Sequence, residues 1–358
     1  MNFQRPNIAR MHGYTPGEQL ADAEVIKLNT NENPYPPSPA VARALQELPV
    51  AQLRRYPPPL ADAFRRVCAD LHGLEPANVI PTNGGDELLR LVLTTFVNPG
   101  ETVAVVRPSY SLYPVLTAIQ DCRLFEIDLN PDWSMPDNFG ARLAESNARL
   151  CILVNPHAPS GALLSTDYLA SLAEAFSGLL LVDEAYVDFV DPELGYDATP
   201  LVRQFDNFLI LRTLSKGYSL AGLRFGYGLG PAELIAPMLL KTRDSYNTDL
   251  VAQRLATAAL GDQAYARDTW ARVRAARTTL ARDLLALGLE SLPSQSNFLL
   301  CQVPEKPGAQ ALQQALKARK ILVRHFDQDR LRDKLRITVG NDEENAALLQ
   351  AIAAILAG

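Results

Sequence analysis

Residues 209–228 read LILRTLSKGYSLAGLRFGYG. The run Leu209-Ile210-Leu211 is short and wholly apolar, as expected of a buried strand. It breaks into a polar turn, Thr213-Leu214-Ser215-Lys216-Gly217, and Arg224 follows before a second strand-like run. A lysine at the exit of a buried strand is poorly solvated, and poor solvation lowers an amine's pKa. Such an amine is a nucleophile toward carbonyls. Ser215 and Arg224 add a hydroxyl donor and a forked cation, which together suit a bound phosphate. Taken alone, S-K-G reads as a surface lysine in a loop. The rest of the chain decides between the two readings.

Moving outward, the same rhythm recurs. Val103–Val106 runs into Arg107-Pro108-Ser109-Tyr110, Leu150–Val154 into Asn155-Pro156-His157-Ala158-Pro159-Ser160-Gly161, and Leu179–Val182 into Asp183-Glu184-Ala185-Tyr186. Each run is continuously apolar, the pattern of strands covered on both faces. Helix-like segments such as 166–176 separate several of them, which predicts a parallel α/β sheet. Every chemically suggestive residue here falls at the carboxyl end of a strand, the edge where open α/β sheets bind ligands. Upstream, Val79-Ile80-Pro81-Thr82 leads through Asn83-Gly84-Gly85-Asp86-Glu87 into an apolar helix pattern. Glycines there let backbone N–H groups approach an anion at a helix N-terminus. Asp86 and Glu87 by themselves need no function, because acids are favoured in a first turn.

These motifs carry a resemblance. S-K-x-x-x-x-A-G-L-R-x-G-Y is similar to the cofactor-lysine signature of fold-type I, pyridoxal 5'-phosphate (PLP) aminotransferases, and T-L-S-K…A-G-L-R most resembles histidinol-phosphate aminotransferases and their near relatives. The resemblance implies that Lys216 holds PLP and acts as the base. It implies that Gly85, Asp86, Ser215 and Arg224 hold the cofactor phosphate and that Tyr110 stacks on the ring. Asp183 would pair with the ring nitrogen and Tyr186 would donate to the ring 3'-oxygen. Tyr56, in R-Y-P, would reach the phosphate of a neighbouring subunit, so a homodimer with shared sites is implied; otherwise it is a packing tyrosine. In Y-x-P-G and N-x-N-E-N-P-Y, Tyr14 and Asn31 would face substrate. Arg336, in L-R-I-T-V-G, and Arg324, in I-L-V-R, would clamp substrate anions. One position departs: where the family has Asn before Pro-Thr-Gly to bond the 3'-oxygen, this chain has Ala158. Asn155, His157 or Tyr186 alone could fill that role, with Asn155 the favoured candidate; His157 otherwise reads as a loop histidine. Asn297 matches a family position of uncertain role.

The organisation expected is an arm over the active site (1–39), a large PLP-binding α/β domain with a mainly parallel central sheet (40–255) and a smaller α+β domain (256–358). Ser38 should cap a helix beginning at Pro39. Asp262 should cap a long helix ending near Leu287, and Asp342 should cap the last one. At 358 residues the chain is long enough for two domains. Its net charge of −6 argues against a general nucleic-acid binder. Four scattered cysteines, without metal-like spacing, suit a reducing cytoplasm. No apolar run approaches 18 residues and the first ten residues lack a signal-peptide core, so no membrane span is expected. The implied activity is transamination of L-histidinol phosphate with 2-oxoglutarate. An aromatic amino-acid aminotransferase, a threonine-phosphate decarboxylase and a PLP-fold module without turnover are the alternatives.

Overall fold

In the computed structural model, which describes residues 3–20 and 24–357, the apolar runs lie side by side as one seven-stranded sheet. Its strands are β2 (Val79–Thr82), β3 (Thr102–Arg107), β4 (Arg123–Asp128), β5 (Leu150–Val154), β6 (Leu179–Asp183), β7 (Phe208–Thr213) and β8 (Gly226–Leu229), in the spatial order β2-β8-β7-β6-β5-β3-β4. All neighbours are parallel except β8, which runs antiparallel to β2 and β7. The continuous apolar runs are explained by two cores, one on each face. Cys151, Leu153, Leu180, Val182, Phe208 and Ile210 face one; Leu150, Ile152, Leu179, Leu181, Leu209 and Leu211 face the other. Strand β4 escapes the sequence pattern because it is an edge strand whose residues are mostly exposed.

A second, four-stranded sheet is built from β1 (Ile26–Leu28), β9 (Phe298–Gln302), β10 (Ile321–His325) and β11 (Lys334–Thr338), in the order β1-β10-β11-β9. Leu335 and Ile337 point into a core shared with the helices Gln263–Ala286, Ala309–Ala318 and Asp342–Leu356. The pleat therefore turns Arg336 and Thr338 to the opposite face. Arg324 lies directly beside Arg336 in the β10–β11 register.

Three expectations shift. The arm is more than a cover: Pro6–Arg10 is a short helix, and β1 pairs in parallel with β10, Ile26 beside Ile321 and Leu28 beside Val323. Residues 1–2 and 21–23 of the expected arm lie outside the described residues. The expected division at 255/256 falls inside the helix Leu250–Gly261, whose Ala252, Leu255, Ala256, Ala259 and Leu260 all join a core of the large sheet. No breaking residue stands at 255; the chain turns at Gly261-Asp262, and Asp262 accepts from the Tyr265 N–H to start the long helix. The last helix is capped by Asn341, not Asp342. Asn341 accepts from the Glu344 N–H at 2.9 Å and Glu344 accepts from the Asn341 N–H at 2.8 Å, a reciprocal pair that leaves Asp342 as a first-turn acid. The predicted Ser38 cap is present, accepting from the Ala40 N–H.

Candidate active site

The carboxyl edge of β3, β5, β6 and β7 faces the open side of the smaller sheet across a cavity of about 300 Å³. Its lining includes Gly85, Asp86, Tyr110, Ala158, Asp183, Tyr186, Ser215, Lys216 and Arg224 from one side. Tyr14 and Asn31 come from the arm, and Arg324 and Arg336 from the smaller sheet.

Lys216 is at the centre. Its Nζ donates to the Thr30 carbonyl at 2.7 Å. Burial drives its pKa down to about 8; Glu32 opposes this, while Arg336, Lys27 and Arg224 add to it. Asp183 is the facing acid. One carboxylate oxygen accepts from the Tyr113 hydroxyl at 2.8 Å and the other from the Ala185 N–H at 3.1 Å. Burial pushes its pKa up to about 6 against those two hydrogen bonds. Tyr113 was not legible as a site residue; its signal is only that it follows Tyr110 by three positions.

One corner of the cavity is built for an anion. The helix Gly85–Phe96 points its N-terminus there, and Gly84 precedes it at φ +80°. The Arg224 guanidinium lies so close that a Cβ on Gly84 would stand 2.7 Å from Nη2, and a Cβ on Gly85 would meet Leu211 at 3.0 Å. Arg224 Nη1 is 3.5 Å from Ser215 Oγ, and Nη2 is 3.7 Å from Asp86. A twelve-residue helix start, a hydroxyl and a fork together can hold a phosphate dianion.

The opposite corner is cationic. Arg336 donates from Nη2 to the Asn29 carbonyl at 3.0 Å, while its Nε is buried and has no partner among the described residues. The guanidinium lies over Phe298 and Phe326, and Arg324 covers Phe326 from its own side at 5.2 Å. Tyr14 packs edge-on to Tyr110, closing the roof, with ring centroids 5.8 Å apart. Asn31 is in place, but its amide is already bonded to Tyr186 and Thr338. Asn297 supports it, donating to the Asn31 carbonyl.

Asn155 is a correction. It is fully buried and outside the cavity: Nδ2 donates to the Leu164 carbonyl and to Tyr196 Oη, and Oδ1 accepts from the Leu164 N–H. Both of its amide hydrogens are used, so it cannot serve a ligand. His157 bonds Ser160 Oγ through Nδ1 and the Pro108 carbonyl through Nε2; burial lowers its pKa to about 4, so it is a neutral brace between two loops. Tyr56 does not enter the cavity of its own chain. It is 79% exposed and stacked on Tyr246 at 4.4 Å.

Beneath the site, Arg212 of β7 pairs with Glu184 at 2.8 Å, and Tyr196 donates to the second Glu184 oxygen at 2.7 Å. This pair ties the end of β6, which carries Asp183, to the end of β7, which leads into the turn with Lys216. The signal was an arginine inside an otherwise apolar strand, a charge that needs a buried partner. Glu184→Gln is therefore expected to remove the carboxylate bonded to Arg212, leaving only the more weakly coupled Asp188, and to cost about 3–5 kcal/mol of stability by denaturant titration. A loss below about 1 kcal/mol, the size of an exposed pair, would contradict a structural role for it.

The fold and this cavity define a class, and comparison with known proteins agrees. Residues 23–352 match the model for "Aminotransferase class I and II", and the chain belongs to that family. Within it, full-length relatives are histidinol-phosphate aminotransferases. Histidinol-phosphate aminotransferase 1 of Trichormus variabilis is 43% identical over 356 residues, 99% of each chain, and the enzyme of Geobacter sp. (strain M21) is 41% identical over 352 residues, 97% of each. The crystal structure of histidinol-phosphate aminotransferase from Sinorhizobium meliloti in complex with pyridoxal-5'-phosphate superposes with a TM-score of 0.90, covering 100% of this chain and 98% of that one at 24% identity, a likeness of fold.

Proposed function

We propose that this chain is a PLP-dependent aminotransferase that interconverts L-histidinol phosphate and 2-oxoglutarate with imidazole acetol phosphate and L-glutamate. The observation that carries the reading is the placement of Lys216, a buried amine with pKa lowered to about 8, between the anion corner, Asp183 and the paired arginines. The residues fit PLP: the glycine cradle beside Arg224 leaves room for a phosphate and not for a Cβ, and the unpartnered Arg336 Nε calls for an anion of substrate.

Bound PLP supplies a carbonyl that captures the substrate amine and a cationic ring that withdraws electrons from the bond broken at Cα. Gly85, Asp86, Ser215 and Arg224 hold the phosphate. Asp183, kept in place by Tyr113 and the Ala185 N–H, holds a proton on the ring nitrogen. Tyr110 packs on the ring and Tyr186 donates to its 3'-oxygen. Lys216 takes the proton from the substrate Cα and returns it on the other side of the transfer. Its uncharged form is accessible near neutral pH because burial disfavours the ammonium. Arg324 and Arg336 hold the phosphate of one substrate and a carboxylate of the other, with forks that suit both. Tyr14 and Asn31 close the cavity against water.

The active unit is a homodimer in which Tyr56 reaches the partner's cofactor phosphate. In support, Tyr56 and the nearby-in-sequence Val50 and Leu53 are all exposed in the single chain. The compartment is the cytoplasm, in keeping with four free cysteines; among the described residues no helix is long and apolar enough to cross a membrane.

The test is a half-reaction panel. PLP-loaded protein is mixed with L-histidinol phosphate, phenylalanine, tyrosine or threonine phosphate, and the absorbance of the bound cofactor is followed. The expected result is that histidinol phosphate converts the cofactor with the highest rate per concentration. A preference for phenylalanine or tyrosine overturns the substrate, and release of carbon dioxide from threonine phosphate overturns the reaction type.

A further inference from the structure

We propose that Asn31 and Thr338 are positioning residues that aim the Tyr186 hydroxyl at the 3'-oxygen of bound PLP, so that Tyr186 makes the contact an asparagine at position 158 would share. The proposal rests on the PLP reading above and adds to it a hydrogen-bond relay from outside the cofactor site.

Ala158 lines the cavity with a methyl group and has no donor. Its neighbours cannot replace one, since Asn155 and His157 are committed elsewhere. Tyr186 lines the same cavity, and its ring is fixed edge-on against Phe298 at 5.0 Å. Tyr186 Oη accepts from Asn31 Nδ2 at 3.0 Å. A phenol has one proton, and among the described residues no group accepts it. With the oxygen's protein-facing side occupied by an incoming N–H, the proton is left for the cavity.

The direction of this relay is set upstream. The backbone N–H of Asn31 donates to Thr338 Oγ1 at 3.0 Å, and the Thr338 hydroxyl donates in turn to Asn31 Oδ1 at 3.1 Å. That places the amide oxygen toward Thr338 and the NH₂ toward Tyr186. Asn31 is 1% exposed, sits at φ +59° and has its carbonyl held by Asn297, so its side chain is not free to turn. Thr338 is also 1% exposed. It stands on β11 two positions after Arg336, so the strand that carries a substrate-clamping arginine also fixes the donor to the cofactor ring.

The holoenzyme provides the readout. A hydrogen bond to the ionised 3'-oxygen stabilises the deprotonated chromophore, so its loss raises the pKa at which the bound cofactor's absorbance titrates. Thr338→Val removes the relay's first donor at nearly constant shape. Asn31→Gly removes its second while tolerating the positive φ. Each is expected to raise that pKa by about one unit, the size of one charge-assisted hydrogen bond. Thr338→Ser should stay within a few tenths of wild type. Adding Ala158→Asn to Asn31→Gly should bring the value back, since it supplies the missing donor directly. Asp183, Arg336 and Tyr14 also act on Tyr186 and are unchanged in all of these variants. The relay is overturned if Tyr186→Phe raises the pKa while Thr338→Val and Asn31→Gly leave it at the wild-type value. If Tyr186→Phe does not move it either, the placement of the cofactor ring fails and the relay with it. Should Asn31→Gly not retain PLP, the Thr338→Val and Thr338→Ser pair decides alone.

Discussion

Lys216→Ala is expected to lower the rate of transamination by at least about 10⁴-fold while PLP still binds. Two losses combine. The amine that captures the cofactor carbonyl is gone, and so is the base that moves the Cα proton; a positioned base alone contributes about 10²–10⁴. Binding persists because the phosphate corner and Asp183 do not include the lysine: the helix start at Gly85, Ser215 Oγ and the Arg224 fork remain. Turnover and cofactor retained after gel filtration check the two halves separately. A variant that keeps its rate within tenfold would show that Lys216 is a bystander.

Arg336→Lys is expected to cost about 2–5 kcal/mol of transition-state binding, roughly 30- to 5,000-fold in kcat/KM, in both half-reactions. The substitution keeps the charge, so the argument is geometric. Arg336 spends Nη2 on the Asn29 carbonyl, lies over Phe298 and Phe326, and still has a buried Nε with no partner. A lysine ammonium is a point charge that cannot reach the backbone carbonyl, lie over the rings and meet an anion together. Both half-reactions suffer because both anions meet the same clamp. Arg324→Lys should weaken histidinol phosphate at least as much as glutamate. Single-turnover rates against concentration of each substrate give the comparison. A change below threefold for Arg336→Lys would remove it from substrate binding.

The fold was legible where burial is two-sided. Strands β5, β6 and β7 read as unbroken apolar runs because each face meets its own core. Asp183 closes one such run and Lys216 follows another by a short turn, and it is the resemblance of the whole stretch that singles out the lysine. Strand β4 was hidden by its exposed edge, and β1 by its three residues among turn formers. The arm's attachment could not be read, because pairing Ile26 with Ile321 depends on contacts across nearly the whole chain. Asn155 was misplaced because a sequence gives neighbours along the chain, not the direction of a side chain; its amide turns to Leu164 and Tyr196. The Thr338–Asn31–Tyr186 relay joins three distant segments and has no local pattern to betray it. Arg212 leaves a signal, a charge in an otherwise apolar strand, but its partner Glu184, just beyond the end of β6, does not announce itself in the sequence.

The most direct test of the central claim is reduction of the holoenzyme with borohydride, which fixes the cofactor to whichever amine holds it, followed by peptide mapping. The label is predicted on Lys216 alone and absent from Lys216→Ala. Its formation from cofactor-free protein should quicken with pH and level off above about 8, because the buried amine loses its proton there and not near 10.5. A pyridoxyl group on any other lysine, or capture that rises only near pH 10, would contradict the account.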